Sequence, residues 1–449
     1  MFARLSLLPR RCLRAAAFST VPHSRALPEL DAPHPLNNVP PSIRATARAP
    51  SLLALPSHPL AALKRAIAAH FAAPLHPAGV ALRAFEAELS PVVSVAANFD
   101  ELLTPPGHVS RRPSDTFYVD ADRLLRCHMT AHQTSLLRAG HRAFLMIGDV
   151  YRRDTVDATH APVFHQVDGV RVWRAQELPE RERAALARGD RGPAEALVVA
   201  DLRAALEGLA RRLFGAGAQL RWVDAHFPFT HPSLELEVLW EGEWLELLGC
   251  GVIRSAILDA SCGGEGAIGW AFGLGLERLA MVLHGIPDIR LFWSSDPRFL
   301  KQFSGERVAA EAAAGRYVKF EPFSRHPACF KDLAFWVPAG MAVVSEADAD
   351  AQGLMAAAGG GGPSAAGAGS AAAPVFHEND LHAAVREAAG QLVESVQRVD
   401  KFVHPKTGRT SLCFRVNYRA PDRTLTNEEV NTVMERVRGA VKALGVELR

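Results

Sequence analysis

Residues 148–169 read GDVYRRDTVDATHAPVFHQVDG, and the fold turns on what this stretch is. Leu145, Met146 and Ile147 lead into it as a strand, the Asp- and Thr-rich middle is a loop, and 163–172 is a second strand. The spacing therefore predicts an antiparallel hairpin. Arg152, at the inner end of the first strand, and Phe164 with Gln166 on the second are residue types that hold a nucleotide. A guanidinium grips phosphate through its planar fork, and a ring stacks on a base. The same residues equally describe a plain sheet hairpin with a solvated charged loop.

The chain around it has 449 residues, 48% of them hydrophobic, and a formal net charge of +2. That length supports two or three domains with their own cores, and the near-neutral balance leaves nucleic-acid contact to local patches. Cys12, Cys127, Cys250, Cys262, Cys329 and Cys413 lie scattered with no C-x-x-C pair, which argues against a disulfide framework or a zinc ribbon and for a reducing compartment. Residues 1–28 carry Arg4, Arg10, Arg11, Arg14 and Arg25 among leucines, with no Asp or Glu before Glu29. An Arg-rich, acid-free start predicts an organellar transit peptide. No run reaches the roughly 18 apolar residues needed to span a bilayer.

Working outward, residues 29–59 are weakly patterned and Pro-rich and read as a linker, whereas Leu60, Leu63, Ile67 and Phe71 are spaced as a helix. Pro91 within 85–95 suits an edge strand or a bend. Residues 117–119 read as a short strand, and 124–140 as a helix carrying His128 and His132 four residues apart. That pair has zinc-ligand spacing, yet Met129, Thr130 and Ala131 stand between them, so the metalloprotease glutamate is missing. The Ala-, Leu-, Glu- and Arg-rich 177–213 reads as one long surface helix with its lead-in. A strand at 219–223, an aromatic loop His226-Phe227-Pro228-Phe229-Thr230, and a hairpin of 234–240 with 243–248 follow. Glu246 falls at a strand end just ahead of Gly249-Cys250-Gly251, small residues that admit a ligand.

Residues 269–285, GWAFGLGLERLAMVLHG, open on glycines and run into an apolar helix closed by Gly285 and Pro287. This is no Rossmann fingerprint, because Arg278 occupies the third glycine position and no strand–helix–strand unit precedes it. Nor is it a P-loop, since no GK[ST] follows. An arginine in the first turn of an apolar helix works against the helix dipole and calls for an anion or a π-face.

Two arginines on separate apolar scaffolds with an aromatic at Phe164 make the nucleotide reading cohere, and here a resemblance becomes specific. YRRD at 151–154 resembles motif 2 of class II aminoacyl-tRNA synthetases, and GLGLER at 273–278 resembles their motif 3. Together DATHAPVFHQ, FPFTHPS, WLELLGCG and GWAFGLGLERLAM are similar to phenylalanyl-tRNA synthetases, in particular the single-chain organellar form, from about residue 60 onward. The resemblance implies an α+β fold: a class II antiparallel-sheet catalytic domain over 60–320 and a ferredoxin-like anticodon-binding domain over 321–449. The tail agrees with a βαββαβ order, with strands at 330–337, 399–403, 411–418 and 446–448 and helices at 381–396 and 425–444, the last capped by Thr426 with Glu429 at its third position. The Ala-, Gly- and Ser-dominated 345–374 reads as a disordered insertion. Arg398, Lys401, Lys406, Arg409, Arg415, Arg419 and Arg423 outweigh Asp400 and Asp422, an excess that suits tRNA phosphates.

The activity implied is two-step. Phenylalanine and ATP give phenylalanyl-adenylate, whose acyl group passes to the 3′-terminal ribose of tRNA(Phe), with Mg²⁺ accompanying ATP, in a monomer of the mitochondrial matrix or one shared with the plastid. Arg152 and Arg278 are the expected catalytic residues. The ATP site implied is Arg152, Thr159, His160, Ala161, Phe164, Glu246, Gly273, Gly275 and Arg278. The amino-acid site implied is His128, Thr130, Ala131, His132, Gln133, Gln166, Val167, Asp168, Phe227, Phe229, Glu246, Ala271 and Phe272. Three residues depart from the family pattern: Asp168 stands where it has Glu, Thr130 where Ser is common, and Val109 interrupts a His-Pro-Ser-Arg loop. None removes a charge the chemistry requires. The rival readings are a catalytically dead synthetase-like RNA-binding protein, a synthetase for another amino acid, and a zinc hydrolase on His128, His132 and His165.

Overall fold

Strands with one bulky and one small face build the main sheet. Residues 268–275 show the principle: Ile268, Trp270, Phe272 and Leu274 alternate with Gly269, Ala271, Gly273 and Gly275, so a period of two gives a large-residue face to pack and a bare face to leave open. The structure, a computed structural model, describes residues 24–72, 81–262, 266–294, 296–313, 316–322, 326–345, 375–420 and 422–449. The expected insertion beyond Ser345 and the expected transit segment up to residue 23 lie outside the described residues.

Seven strands form the sheet: β1 (Arg83–Phe85), β2 (Ala143–Tyr151), β3 (Val163–Trp173), β4 (Leu220–Ala225), β5 (Thr230–Trp240), β6 (Glu243–Ile253) and β7 (Ile268–Gly275). Their order is β1-β2-β3-β7-β6-β5-β4. Only β1 and β2 run parallel, and the remaining neighbours are antiparallel. The β2–β3 hairpin expected from the sequence is present, with Gly148 opposite Gln166 and Tyr151 opposite Val163. Residues 269–275, by contrast, are not the opening of a helix but a central strand; the helix begins only at Leu276. Glu246 correspondingly lies within β6, beside a register shift against β5, rather than at a strand end.

Helices α1 (Pro59–Ala72), α2 (Gly192–Phe214) and α3 (Leu276–His284) cover the bulky face. Leu63, Ile67 and Phe71, Val198, Leu202 and Leu206, and Leu279 meet Trp270, Phe272 and Leu274 in one buried core. The long helix expected within 177–213 is α2, and its lead-in holds a separate short helix, Glu180–Ala187, with Gly189 at φ 83° and Pro193 in the first turn of α2 marking the interruption. The inner side of α2 is buried, and its Asp201 accepts hydrogen bonds from Arg171 (2.8 Å) and Trp270 Nε1 (2.7 Å) on the sheet.

Residues 124–140 are not one helix either. Arg123–Leu125 pairs as a strand with Val92–Ser94, Met129–His132 is a 3₁₀ turn, and only Gln133–Arg138 is α-helical. The backbone of Cys127 donates to Asn98 Oδ1 at 3.0 Å and His128 is extended, so tertiary contacts override the local period. The expected strand at 117–119 is reduced to a single bridge between Tyr118 and Leu124. Residues 29–59 are not a slack linker: Leu30, Ile43 and Ala47 are buried with Phe117, Val119, Tyr151 and Val163. The described fold reaches into the segment expected as transit peptide, where Leu27 joins that cluster and Arg25 pairs with Asp149.

The C-terminal unit carries β8 (Cys329–Trp336), α4 (Glu378–Ala389), β9 (Val393–Val403), β10 (Thr410–Tyr418), α5 (Asn427–Lys442) and β11 (Glu447–Leu448). The sheet order β9-β10-β8-β11, all antiparallel, is the ferredoxin-like arrangement read from the sequence. Thr426 and Glu429 form the expected capping box. The helix expected over 381–396 stops at Ala389, where Gly390 turns the chain at φ 60° and 393–396 enters β9. Among the described residues, no helix is long and apolar enough to cross a membrane.

Candidate active site

The bare face of β3 and β7 floors a cleft of about 770 Å³. On β3, alternation sends Phe164, Gln166 and Asp168 into it, while Val167 goes to the helix side. Thr130 Oγ1 donates to Asp168 Oδ2 at 2.7 Å, but Asp168 Oδ1 is buried with no hydrogen bond. Gly273 leaves that oxygen room, since a Cβ there would come within 3.1 Å of it. Burial pushes the Asp168 carboxyl up to about 7, although Thr130 and Arg152 pull the other way. His128 Nδ1 and Gln133 Oε1 are likewise buried without a partner, and both residues line the same cleft. Burial, with Arg152 nearby, pushes His128 down to about 3, so its ring is neutral. Unmet polar groups lining one cleft mark where a ligand or water makes its hydrogen bonds. A carboxylate and an amide oxygen among them call for a donor, best a cationic one.

Beside this polar end stands an aromatic wall. Phe227 and Phe229 stack with ring centroids 5.9 Å apart, and Phe229 lies 6.3 Å from the His128 ring. Gly249 makes the space for Phe227, because a Cβ there would sit 2.7 Å from the ring. Ala271 contributes a methyl to the cleft. Phe272 is different: its ring stacks on Phe71 at 5.2 Å in the helix-side core and reaches the cleft only from beneath Gly169.

The other end of the cleft holds the β2–β3 loop. Arg152 donates through Nε to Cys127 O at 3.0 Å, and its guanidinium lies 5.1 Å over the Phe164 ring. Asp157 closes the loop by accepting from the backbone N–H groups of Thr159 and His160 and lying 2.7 Å from His160 Nδ1. Arg278, 62% exposed, reaches in from α3 with Glu246 3.7 Å away. Gly275, Ala161 and Thr159 line the same end. Glu277, which the sequence reading passed over, takes the backbone N–H of His165 at 2.8 Å and its Nδ1 at 2.6 Å. It thereby locks the start of α3 to β3, and the available signal was an acid buried in an apolar helix.

Three of the expected residues are not on the cleft. Val167 is buried on the helix side, Ala131 packs with Phe99 and Leu124, and His132 accepts from Arg126 Nη1 at 2.9 Å on the far side of the 3₁₀ turn. His165 also lies on the helix side of β3, so it cannot join His128 and His132 about an ion. Among the described residues no group of three or more His, Cys, Asp or Glu side chains could hold a metal.

In the C-terminal unit the basic residues do not form a bare stripe. Arg398 pairs with Glu378, Arg409 with Glu447, Arg415 with Asp332, Arg419 with Glu394 and Arg423 with Glu429. Arg398 sits opposite Phe414, on the helix-covered side. The uncovered side shows an unforeseen pattern: Phe330, Trp336 and Phe402 stand out from it, with Arg415 4.6 Å over Phe330 and Arg409 and Arg449 over Trp336 at 5.3 and 5.5 Å.

The comparisons with known proteins agree with this geometry. The class II core domain (F) of tRNA synthetases matches residues 54–180 and 194–303, and the ferredoxin-fold anticodon binding domain matches 373–449. The chain is 43% identical to the Arabidopsis thaliana protein named phenylalanine--tRNA ligase, chloroplastic/mitochondrial, over 92% of this chain and 83% of that one. It is 44% identical to the mitochondrial phenylalanine--tRNA ligase of Mus musculus over 81% of this chain and 74% of that one, and 36% identical to that of Saccharomyces cerevisiae over 80% and 82%. With its two domain models in order, its hairpin and its strand β7 all of one pattern, the chain belongs to the phenylalanine--tRNA ligase family of class II aminoacyl-tRNA synthetases.

Proposed function

We propose that the cleft activates phenylalanine with ATP as phenylalanyl-adenylate, and that the C-terminal domain engages tRNA(Phe), whose 3′-terminal ribose receives the acyl group. One observation carries the reading of the substrate: the unmet Asp168 Oδ1, Gln133 Oε1 and His128 Nδ1 gather beside the stacked Phe227 and Phe229. An ammonium satisfies the first group while an unsubstituted benzyl ring covers the second, and phenylalanine carries both.

The chemistry needs position more than acid or base. Phenylalanine's carboxylate is already ionised, so it attacks the α-phosphorus of ATP without a protein base, the bond to the β-phosphate breaks and pyrophosphate leaves; in the second step the ribose hydroxyl takes the acyl group and AMP leaves. Arg152 neutralises the phosphates, His160 and Thr159 bound their path, and Phe164 with Arg278 holds the adenine, which Gly273 and Gly275 allow to approach the strand. Mg²⁺ comes with ATP as part of the substrate. Glu246 at the cleft offers it a carboxylate, with Glu235 close enough for Glu246 to raise its pKa along with burial, and such a pair suits an ion that keeps phosphate and water as its other ligands.

Transfer needs the tRNA on both domains. The aromatic face of β8, β9 and β10, with Arg409 and Arg415 of the expected basic set and Arg449 stacked on it, suits unstacked bases and phosphates, and the exposed ion pairs of Arg409 and Arg415 are weak enough to exchange for phosphate. Trp336→Ala with Phe402→Ala should lower tRNA charging about tenfold or more while leaving amino-acid activation unchanged. Equal charging by the double variant would remove this face from the reading. The catalytic domain, with the N-terminal segment packed on it, and the C-terminal domain over 321–449 carry both steps in one chain, so the active form proposed is a monomer. The relatives' names and the Arg-rich start point to the mitochondrion, with a plastid pool as the finer possibility that a reporter fusion of residues 1–40 distinguishes.

Phenylalanine-dependent ATP–pyrophosphate exchange, run against the other amino acids, is the test. Exchange with none sinks the enzyme reading, and exchange with another sinks the assignment of substrate. Because the far end of the pocket is apolar and rejects a hydroxyl only by shape, tyrosine should be activated detectably at millimolar concentration.

A further inference from the structure

Behind the amino-acid pocket runs a buried chain of charges that begins in the N-terminal segment. Arg25 Nη1 lies 2.6 Å from Asp149 Oδ2 on β2, and Tyr151 donates its hydroxyl to the same oxygen. Asp149 Oδ1 accepts from Arg126 Nη2 at 2.8 Å, and its backbone carbonyl accepts from Arg126 Nε at 2.7 Å. Arg126, 1% exposed, spends its last nitrogen on the carbonyls of Leu89 and Ser90 and on His132 Nε2 at 2.9 Å. His132 ends the 3₁₀ turn whose Thr130 holds Asp168. Gly148 is bare because Arg126 lies there, a Cβ coming within 2.4 Å of its Nη2 and 3.2 Å of Met129 Sδ. The column therefore leads from residue 25 to the polar end of the pocket without a break.

We propose that Arg25 is a positioning residue for the amino-acid site, and that removal of the N-terminal leader stops short of it. The proposal rests on the functional reading above for what the pocket binds, but not for the existence of the column. The physical reason is charge balance. Asp149 and Arg126 are buried, and a buried pair is held by all its partners at once, so loss of one leaves uncompensated charge. Asp149 accepts from two arginines and a tyrosine, whereas Arg126 alone must also hold the 3₁₀ turn. Without Arg25, Arg126 is drawn toward Asp149 and releases His132 and the Leu89 and Ser90 carbonyls. The turn bearing Thr130 then loosens, and with it the grip on Asp168. The rest of the segment is built to keep Arg25 in place: Leu27 and Leu30 are buried, Arg25 N–H donates to Arg48 O at 2.9 Å, and Arg48 Nη2 donates back to Leu27 O at 2.9 Å.

The test compares the full chain with a deletion of residues 2–23, a deletion of 2–26, Arg25→Gln and Arg25→Lys. The deletion of 2–23 and Arg25→Lys should keep the KM for phenylalanine in exchange within about twofold of the full chain, whereas Arg25→Gln and the deletion of 2–26 should raise it about tenfold with the KM for ATP unchanged. A phenylalanine KM unmoved in Arg25→Gln, or an equal rise in both KM values, overturns the positioning role. Hydrogen–deuterium exchange on the same variants needs no activity. Arg25→Gln should lose protection in 126–134 and keep it in α2, and unchanged exchange in 126–134 overturns the proposal even if the full chain activates no amino acid. The N-terminus of the protein recovered from organelles should fall at or before residue 25, and a mature chain that begins later refutes the second clause.

Discussion

Asp168 concentrates the chemistry of the pocket in one carboxyl. Its pKa stands at about 7 against the usual 3.8 because burial disfavours the charge, and the Thr130 hydroxyl only partly offsets this. A raised acid pKa means that ionisation opposes folding, so the stability of the empty protein should decline as pH rises from about 4 to about 7. Substrate binding runs the other way, since an ammonium seeks the carboxylate; the KM for phenylalanine should climb as pH falls through about 7. Asp168→Asn separates the two effects. At about pH 8 it should stabilise the free protein by ~1–2 kcal/mol, read as a higher Tm, while phenylalanine activation falls ~100-fold or more. A lower Tm would show that Asp168 contributes to the fold in its own right. Asp168→Glu keeps the charge and lengthens the reach, and should leave or improve phenylalanine affinity; a large loss would mean that the 2.7 Å Thr130 contact is fitted to the shorter side chain.

At the level of the element, the site depends on which strand positions are bare. Gly249 on β6 exists for Phe227, so Gly249→Ala must displace that ring, given the 2.7 Å approach. The expected outcome is a rise in phenylalanine KM of about tenfold with a smaller change in the ATP KM, because the ring displaced is on the phenylalanine side while most of the proposed nucleotide contacts come from the β2–β3 loop, the ends of β3 and β7, and α3. Equal effects on both substrates would indicate a disturbed sheet instead. The β2–β3 loop is held from a second element: Arg386 on α4, buried so deeply that its pKa falls to about 10, donates to the carbonyls of Asp154 and Thr155 at 2.8 Å each. Arg386→Ala should free the loop that carries Arg152 and His160 and raise the KM for ATP several-fold, leaving that for phenylalanine within about twofold. An unchanged ATP KM would mean the loop orders itself.

For the molecule as a whole, those same contacts join the two domains across the β2–β3 loop, the proposed phosphate-binding loop. Asn379 donates to Arg153 O, Arg153 pairs with Asp380, and Val396 N–H donates to Val156 O. The C-terminal unit is therefore a neighbour of the proposed nucleotide site as well as the bearer of the proposed tRNA face.

The sequence by itself determined the hairpin at 148–169 and the βαββαβ tail with its Thr426–Glu429 cap, and its family motifs marked many of the residues that line the cleft. These are short-range features: a strand period, a cap or a motif is complete within a few neighbours. Strand β7 was also written there, as large and small residues in strict alternation, but its glycines were read as the start of a helix. Other features were beyond any local reading. Which face of β3 meets the helices, and so takes Val167 while Asp168 faces the cleft, is set by what packs on the sheet; that His132 turns to Arg126 follows from a charge buried beside it; and that Arg25 joins the folded body follows from Asp149, 124 positions away. Only the tertiary structure decided these, because burial and ion pairing depend on which distant segments meet, and it is that meeting, not any single segment, that leaves Asp168 Oδ1 without a partner.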